Sequence, residues 1–279
     1  MALNRNVFIS IALVASLVTA ASAQDGPEVL LPIDNWQVRI DDDRCSYTRT
    51  FGDAEAPTFL ELRRLDPWDG GFHVAMSNSQ FNLSGPDLTA AWMPGGTVAS
   101  EDTAQRIADS SGREWIVFAH GLWNATELDH SEFKTQLEYF QVANGFEREV
   151  AFITGPMLEV WEGLDECMSE VMRRNGIDPA DADRSDSRVE FRNRERVARN
   201  ISSELPSIFE ESNRYRWISF LTFVDDEARP ISCRLASLPY DPDFERYGCT
   251  EILENGRFRF HRGESQEPTF VKLTIAVNG

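Results

Sequence analysis

The sequence predicts an α+β protein: an N-terminal antiparallel sheet with helices, followed by a small α+β domain with a three-stranded antiparallel sheet. Three observations predict it. Short apolar runs of period two, separated by Gly, Pro and Asp, fill the first half of the chain. One long run from Met157 to Val171 keeps its apolar residues on a single helical face. The last quarter places two alternating runs, a helical pattern and a final alternating run in that order. With 42% hydrophobic residues and seven Trp the chain can bury a core, and 279 residues suit two domains.

Arg5 precedes an apolar segment from Val7 to about Ala21 that ends in Ala21-Ser22-Ala23 before Gln24. This is the pattern of a secretory signal peptide over residues 1–23. The rival, an uncleaved membrane anchor, would want roughly 20 clean apolar residues, and this run is shorter and holds Ser10, Ser16 and Thr19. No other segment is apolar enough to span a membrane, so a periplasmic chain without a span in its mature form is expected. The expected organisation is a signal at 1–23, an N-terminal α+β domain at 24–177, a polar and basic linker at 178–199 and a C-terminal domain at 200–279.

From residue 36 to about 82, the runs 36–40, 45–51, 58–65 and 72–81 alternate in hydropathy between turn residues and read as an antiparallel meander. Asp41, Asp42 and Asp43 sit at a turn after the first run. They invite a calcium reading, but no EF-hand spacing follows and a solvated turn explains them. Further strands are expected at 88–93 and 113–123. Asp129 and Glu132 form a capping-box pattern ahead of Phe133, Leu137 and Phe140, which predicts a short helix ending near Asn144-Gly145.

A strand at 148–154 leads into the strongest helix. Pro156 lies in its first turn, Met157, Val160, Trp161, Leu164, Cys167, Met168 and Val171 share one face, and Asn175-Gly176 end it. Met157, Met168 and Met172 along this helix read as core filler or as an adaptable binding surface.

Residues 178–187 have no apolar face and read as interdomain linker, with only a superficial likeness to a calcium loop. Arg188, Arg192, Arg194, Arg196 and Arg199 then form a local basic patch. It suits either an anionic lipid surface or a helix face that is solvated or docks on the protein itself. A short helix is expected at 203–212.

Two strands, 216–224 and 231–235, flank the polar connection Asp225 to Pro230 and read as a hairpin. Asp241 and Pro242 open a helix with Phe244, Gly248, Cys249 and Ile252 on one face, and Gly256 suits a left-handed exit. Glu245 falls inside that apolar stripe. The final run, 269–277, puts Val271, Leu273, Ile275 and Val277 on one face of a strand.

Four cysteines in an exported chain make bridges more readily than metal sites, and four allow three pairings. Cys233 with Cys249 fits a strand packed against the helix, a closure that stabilises by roughly 3 kcal/mol in the chain-entropy model. Cys45 with Cys167 then remains, with a buried free Cys167 as the alternative.

The order strand, hairpin, strand, helix and final strand, with Cys233 in the second strand and Cys249 in the helix, resembles the C-terminal domain of TonB-like proteins. The likeness covers about the last quarter of the chain. It rests on the Val224-Asp225-Asp226 turn, the Cys233 to Cys249 spacing with Leu238, Asp243 and Phe244 between, and Arg257-Phe258-Arg259-Phe260. The chain departs from the family where Ala228 stands near a usual Gly, where Leu238-Pro239 replace Ser-Gly, and where Phe260-His261 replace Pro-Ala. The resemblance implies a sheet edge that pairs with a short extended segment of an outer-membrane receptor by strand addition. The backbone beside Val271, Leu273, Ile275 and Val277 is the edge it implies, the side chains themselves facing the helix.

With 27 basic against 46 acidic residues the formal net charge is -19, which argues against a nucleic-acid partner. No GxSxG, HExxH, P-loop or dinucleotide motif is present. His73, His120, His130 and His261 are scattered, and Asn82, Asn124 and Asn200 begin glycosylation sequons. No cofactor or metal is expected.

The expected function is a non-catalytic periplasmic protein-interaction protein whose partner is another envelope protein, such as a receptor segment. One alternative is an energy transducer of a TonB-type outer-membrane transport system. That job wants an anchor and a Pro- and Lys-rich spacer, whereas the 13 Pro here are dispersed. Another is a secreted enzyme with its site in the N-terminal domain, where His120, near Glu127 and Asp129, is the candidate.

Overall fold

Alternation builds two sheets in the first part of the chain. The computed structural model describes residues 26–41, 44–64, 71–78, 88–96, 99–100, 104–108, 112–121, 135–144, 148–180, 188–205, 217–236 and 241–276. Strands β2 (Gln37–Asp41), β3 (Arg44–Gly52), β4 (Pro57–Arg64) and β5 (Gly71–Ser77) form the expected meander. It continues into β9 (Glu114–Gly121) and β8 (Gln105–Ala108) as one antiparallel six-stranded sheet. A second sheet orders β1 (Glu28–Leu30), β11 (Val150–Phe152), β10 (Tyr139–Ala143), β6 (Thr89–Met93) and β7 (Ala99–Ser100), with β1 parallel to β11 and the other pairs antiparallel.

The end expected for the capping-box helix, near Asn144-Gly145, is corrected here, because Tyr139–Ala143 is a central strand, whereas Asp129, Glu132 and Phe133 lie outside the described residues. Phe140 and Val142 both point into the core and the strand is hydrogen-bonded on both sides, so sheet pairing overrides the helical spacing of Leu137 and Phe140.

The inner faces of both sheets and helix α1 (Leu158–Arg174) bury one cluster that includes Leu60, Val74, Phe118, Trp92, Phe140 and Trp161. Each such side chain contributes roughly 1.5–3 kcal/mol of burial. Helix α1 is held on β3 by the Cys45–Cys167 disulfide and on β4 by an ion pair between Arg64 and Asp165.

Strands β14 (Pro230–Leu235), β13 (Trp217–Val224) and β16 (Thr269–Ala276) form a three-stranded antiparallel sheet in that order. One face packs under helices α2 (Arg194–Ser202) and α3 (Pro242–Asn255), with Phe220, Leu235, Leu273 and Ile275 meeting Val197, Ile201, Phe244 and Ile252. The other face carries Leu221, Phe223 and Phe270 into the same cluster as Met168, Val171 and Met172 of α1. The methionines along α1 and at its start are thus core: Met157, Met168 and Met172 are all buried.

Asp241 caps α3 by accepting from the Phe244 amide at 2.7 Å, with Pro242 in its first turn. Gly256 is not left-handed as expected: its φ is -63°. A Cβ there would stand 2.3 Å from the Ile252 carbonyl oxygen, so close approach rather than backbone handedness calls for glycine.

Within the stretch read as a linker, β12 (Val189–Phe191) pairs with β15 (Phe258–Phe260), and α2 begins at Arg194. The basic run docks on the protein itself: Arg188 is buried beside Thr269 and Glu267, and Arg196 donates to the Asn255 carbonyl at 3.3 Å. The signal segment, Asp42 and Asp43, residues 181–187, residues 206–212, His130 and Val277 lie outside the described residues. No helix among the described residues is long and apolar enough to cross a membrane.

Candidate functional site

Both expected disulfides are present. Cys45–Cys167 joins β3 to α1 with Cα atoms 6.0 Å apart, and Cys233–Cys249 joins β14 to α3 at 5.3 Å. Such bridges belong to an oxidising compartment.

Strand β16 lies at the edge of its sheet, but its outward backbone groups are not those of Val271, Leu273 and Ile275. The Ala236 amide donates to the Ser219 carbonyl at 2.8 Å, so that carbonyl faces β14. Ser219 is opposite Thr274 in register, which makes this a pair without mutual hydrogen bonds and leaves the amides and carbonyls of Lys272, Thr274 and Ala276 pointing off the sheet. The backbone of Val271, Leu273 and Ile275 is spent on β13. Their side chains are buried, Leu273 and Ile275 under the helices and Val271 against Val189 and Val224. The outward edge is also partly closed, because the Arg194 guanidinium donates to the Thr274 carbonyl at 3.1 Å.

The opposite edge is closed by a carboxylate. By the same alternation the Leu235 amide points outward from β14, and it donates to Glu245 Oε1 at 3.1 Å. That carboxylate also accepts from Arg44 at 2.6 Å. The charge that interrupts the apolar stripe of α3 therefore caps a strand edge and ties it to β3.

On a third edge, β2, no such closure occurs among the described residues. On β3 the backbone groups of Thr50 and Gly52 face toward β1 and β2: Ile33 N donates to Thr50 O at 2.8 Å and Gly52 N donates to Leu31 O at 2.8 Å. Alternation puts Thr48, Ser46 and Arg44 in the same orientation, opposite Gln37, Arg39 and Asp41. The amides and carbonyls of Val38 and Ile40 consequently point off the sheet. Their side chains are 51% and 46% exposed. Val29, Leu31 and Ile33 are exposed as well, so five of the exposed large apolar side chains among the described residues lie between positions 29 and 40. Natural edges are normally protected by charge, proline or a covering element, and an apolar patch left open marks an interaction surface.

Beside β2 a cleft of about 700 Å³ opens between the sheet and the start of α1. Its walls include Trp36, Tyr47 and Arg49 from the sheet and Thr154, Pro156 and Glu159 from the approach to α1. Arg49 is half-buried and donates from Nε to the Asp34 carbonyl and from Nη1 to the Thr154 carbonyl, both at 2.8 Å. Burial pushes its guanidinium below the ordinary value, and the Asp34 carboxylate opposes that shift. Asp34 itself is engaged by the amide and hydroxyl of Thr50, at 2.9 and 2.8 Å.

Sequence reasoning missed this site. Trp36, Val38 and Ile40 alternate like any half-buried strand, and only the reach of α1 decides that this end of the face is open. Among the described residues no group of three His, Cys, Asp or Glu is arranged to hold a metal ion. His73 lies on β5 opposite Ala119 and Arg63, on the face turned away from the cleft, and His261 is exposed. The side chains of His120 and Asp41 lie outside the described residues. Neither a protein-family model, nor a curated protein, nor a solved structure matches this chain.

Proposed function

We propose that this chain is a non-catalytic interaction protein of the periplasm that takes an extended segment of another envelope protein as an added strand on β2. One observation carries the reading: Val38 and Ile40 combine outward backbone groups with exposed apolar side chains, on an edge that no side chain among the described residues caps. Strand addition uses those two features together, main-chain bonds for affinity and alternate side chains for selection. The disulfides support an oxidising location. A second reading keeps the pairing on β16 at Lys272 and Ala276, as the TonB-like resemblance implies, and is favoured by the edge position of that strand.

The test is photocrosslinking in the periplasm from a reactive side chain placed at Val38 or at Lys272, with crosslinked peptides identified by mass spectrometry. The expected result is one extended segment of an envelope protein captured from Val38. Ile40→Pro, in the chain that carries the reactive side chain at Val38, should abolish that capture while leaving the fold intact, because it removes an amide that the sheet does not use. Capture from Lys272 alone would move the interface to β16. Capture from neither position would sink strand addition.

A further inference from the structure

The kind of strand that suits β2 follows from the helix beside it. Val38 and Ile40 stand opposite Tyr47 and Cys45 in register, so these two exposed side chains share the face of the sheet on which α1 lies. Helix α1 sits over β3: Cys167 is bonded to Cys45, and Gly163 backs onto the Tyr47 ring. Asp165, on the other side of the helix from Gly163, reaches Arg64 of β4. The flank of α1 that carries Gly163 is therefore the one turned toward β2.

That flank is acidic. Glu159 and Glu166, four residues before Gly163 and three after it, share its side of the helix, and Glu162 stands exposed between them. Glu159 lines the cleft together with Trp36 and Tyr47. Glu166 shares Arg173 with Glu170, whereas Glu159 and Glu162 meet no cation among the described residues. Arg49, the cation of the cleft, has Asp34 as the carboxylate acting on it.

A strand added to β2 lies about 4.8 Å beyond it, and every second side chain enters the space between Val38, Ile40 and this flank. The floor of that space is aliphatic and its wall is negatively charged. Lysine and arginine meet both, the aliphatic stem covering the floor and the charged end reaching the wall. A carboxylate there would meet like charge, and the net charge of -19 adds to its exclusion. We propose, on the strand-addition reading, that the segment taken by β2 carries lysine or arginine at every second position, turned toward Glu159 and Glu162.

The probes are end-blocked peptides: Thr-Lys-Thr-Lys-Thr-Lys-Thr, its forms with Gln or Glu in place of Lys, and Thr-Thr-Lys-Lys-Lys-Thr-Thr, which keeps the charge and breaks the alternation. Fluorescence anisotropy with the full chain reads their affinities in about 0.15 M salt, where exposed charges more than about 8 Å apart are screened. The alternating Lys peptide should bind about tenfold more tightly than the Gln peptide, the worth of two exposed ion pairs. The block peptide should lose that advantage, and the Glu peptide should bind most weakly. Glu159→Gln should weaken the alternating Lys peptide several-fold and leave the Gln peptide unchanged. Glu254→Gln, which removes the same charge from an exposed position on α3, should change neither. Ile40→Pro, which removes an outward amide, should abolish binding of them all.

Equal affinities of the Lys, Gln and Glu peptides, all lost in Ile40→Pro, would overturn the basic partner and leave strand addition standing. A preference for Lys that the block peptide shares, or that Glu159→Gln leaves intact, is attraction to the acidic chain at large and would overturn it as well. If Ile40→Pro leaves binding unchanged, or if no peptide binds, strand addition itself falls and the basic partner with it.

Discussion

Gly163→Ala should destabilise this protein, although the same change inside a helix normally gains about 1 kcal/mol. Gly163 sits in the 17-residue helix α1, facing β3. A Cβ there would lie 2.0 Å from the Tyr47 hydroxyl oxygen, 2.6 Å from Cζ and 3.1 Å from Cε2. Carbon atoms at rest are about 3.5–4.0 Å apart, so the ring or the helix must move by about 1 Å. The helix cannot readily retreat, because Cys167, one turn on, is bonded to Cys45 on the same face of β3 as Tyr47, and Asp165 is paired with Arg64. The ring must therefore yield, into the cleft it lines. Overpacking of this kind costs about 1–3 kcal/mol. An overlap this deep sits at the upper end, for a net loss of about 2 kcal/mol after the helical gain. In a Tyr47→Ala background the overlap vanishes and Gly163→Ala should stabilise by about 1 kcal/mol, a coupling of about 3 kcal/mol between the two sites. Equilibrium urea unfolding with the disulfides intact reads both numbers from the midpoint at constant slope. A stabilising Gly163→Ala in the parent, or the same effect in both backgrounds, would refute the argument.

Three further outcomes are expected. Replacing Cys45 and Cys167 by Ala should cost about 5 kcal/mol in chain entropy, given their sequence separation of 122. The Cys233 and Cys249 pair, 16 apart, should cost about 3 kcal/mol, both read by guanidinium denaturation. Glu245→Ala should cost about 2 kcal/mol because it takes the acceptor from the Leu235 amide and one charged partner from Arg44. Asp243→Ala, whose pair with Arg246 is exposed on the same helix, should change stability by less than about 0.5 kcal/mol. At the β13–β14 turn, burial raises the Asp225 carboxyl, but bonds from the backbone and side chain of Arg229 and from the Glu227 amide outweigh it and hold the carboxyl below its ordinary 3.8. A depressed carboxyl contributes stability above the unfolded value that is lost as pH falls through the folded one. Thermal unfolding from pH 5 to pH 2 should therefore fall more steeply in the parent than in Asp225→Asn.

How much of this was legible depends on whether a local pattern or a distant element made the decision. Helix α1 and strand β16 were readable because period, cap and length agreed along one stretch, and the Asp241-Pro242 start of α3 announced itself by chemistry that needs no tertiary partner. Strand β10 was not. Leu137 and Phe140 fit a helix and Phe140 and Val142 fit a strand, and the choice lay with β6 and β11, remote in sequence. Arg188 read as part of a run that meets a lipid surface, stays solvated or docks on the protein itself, and the choice lay with Thr269 and Glu267, some 80 residues on, which receive it. The candidate site was the least legible part, since exposure of Val38 and Ile40 depends on where α1 stops covering the sheet.

Glu245 and Arg194 sharpen the meaning of that exposure. Each is a charged side chain placed against an outward backbone group of the three-stranded sheet, one on the Leu235 amide and the other on the Thr274 carbonyl. Both edges of that sheet are thus partly satisfied from within, as expected where unwanted pairing must be blocked. In the same chain β2 keeps the amides and carbonyls of Val38 and Ile40 outward, its neighbours Gln37 and Arg39 exposed, and two aliphatic side chains in water. An exposed apolar edge next to guarded ones needs a reason in function, because it costs solubility without stabilising the fold. The guard residues supply the comparison: removing Arg194 should open β16 to pairing, whereas inserting Lys at Ile40 should close β2. If Ile40→Lys leaves periplasmic capture from Val38 unchanged while Arg194→Ala creates capture from Lys272, the edge that matters is β16, and the openness of β2 belongs to some other contact.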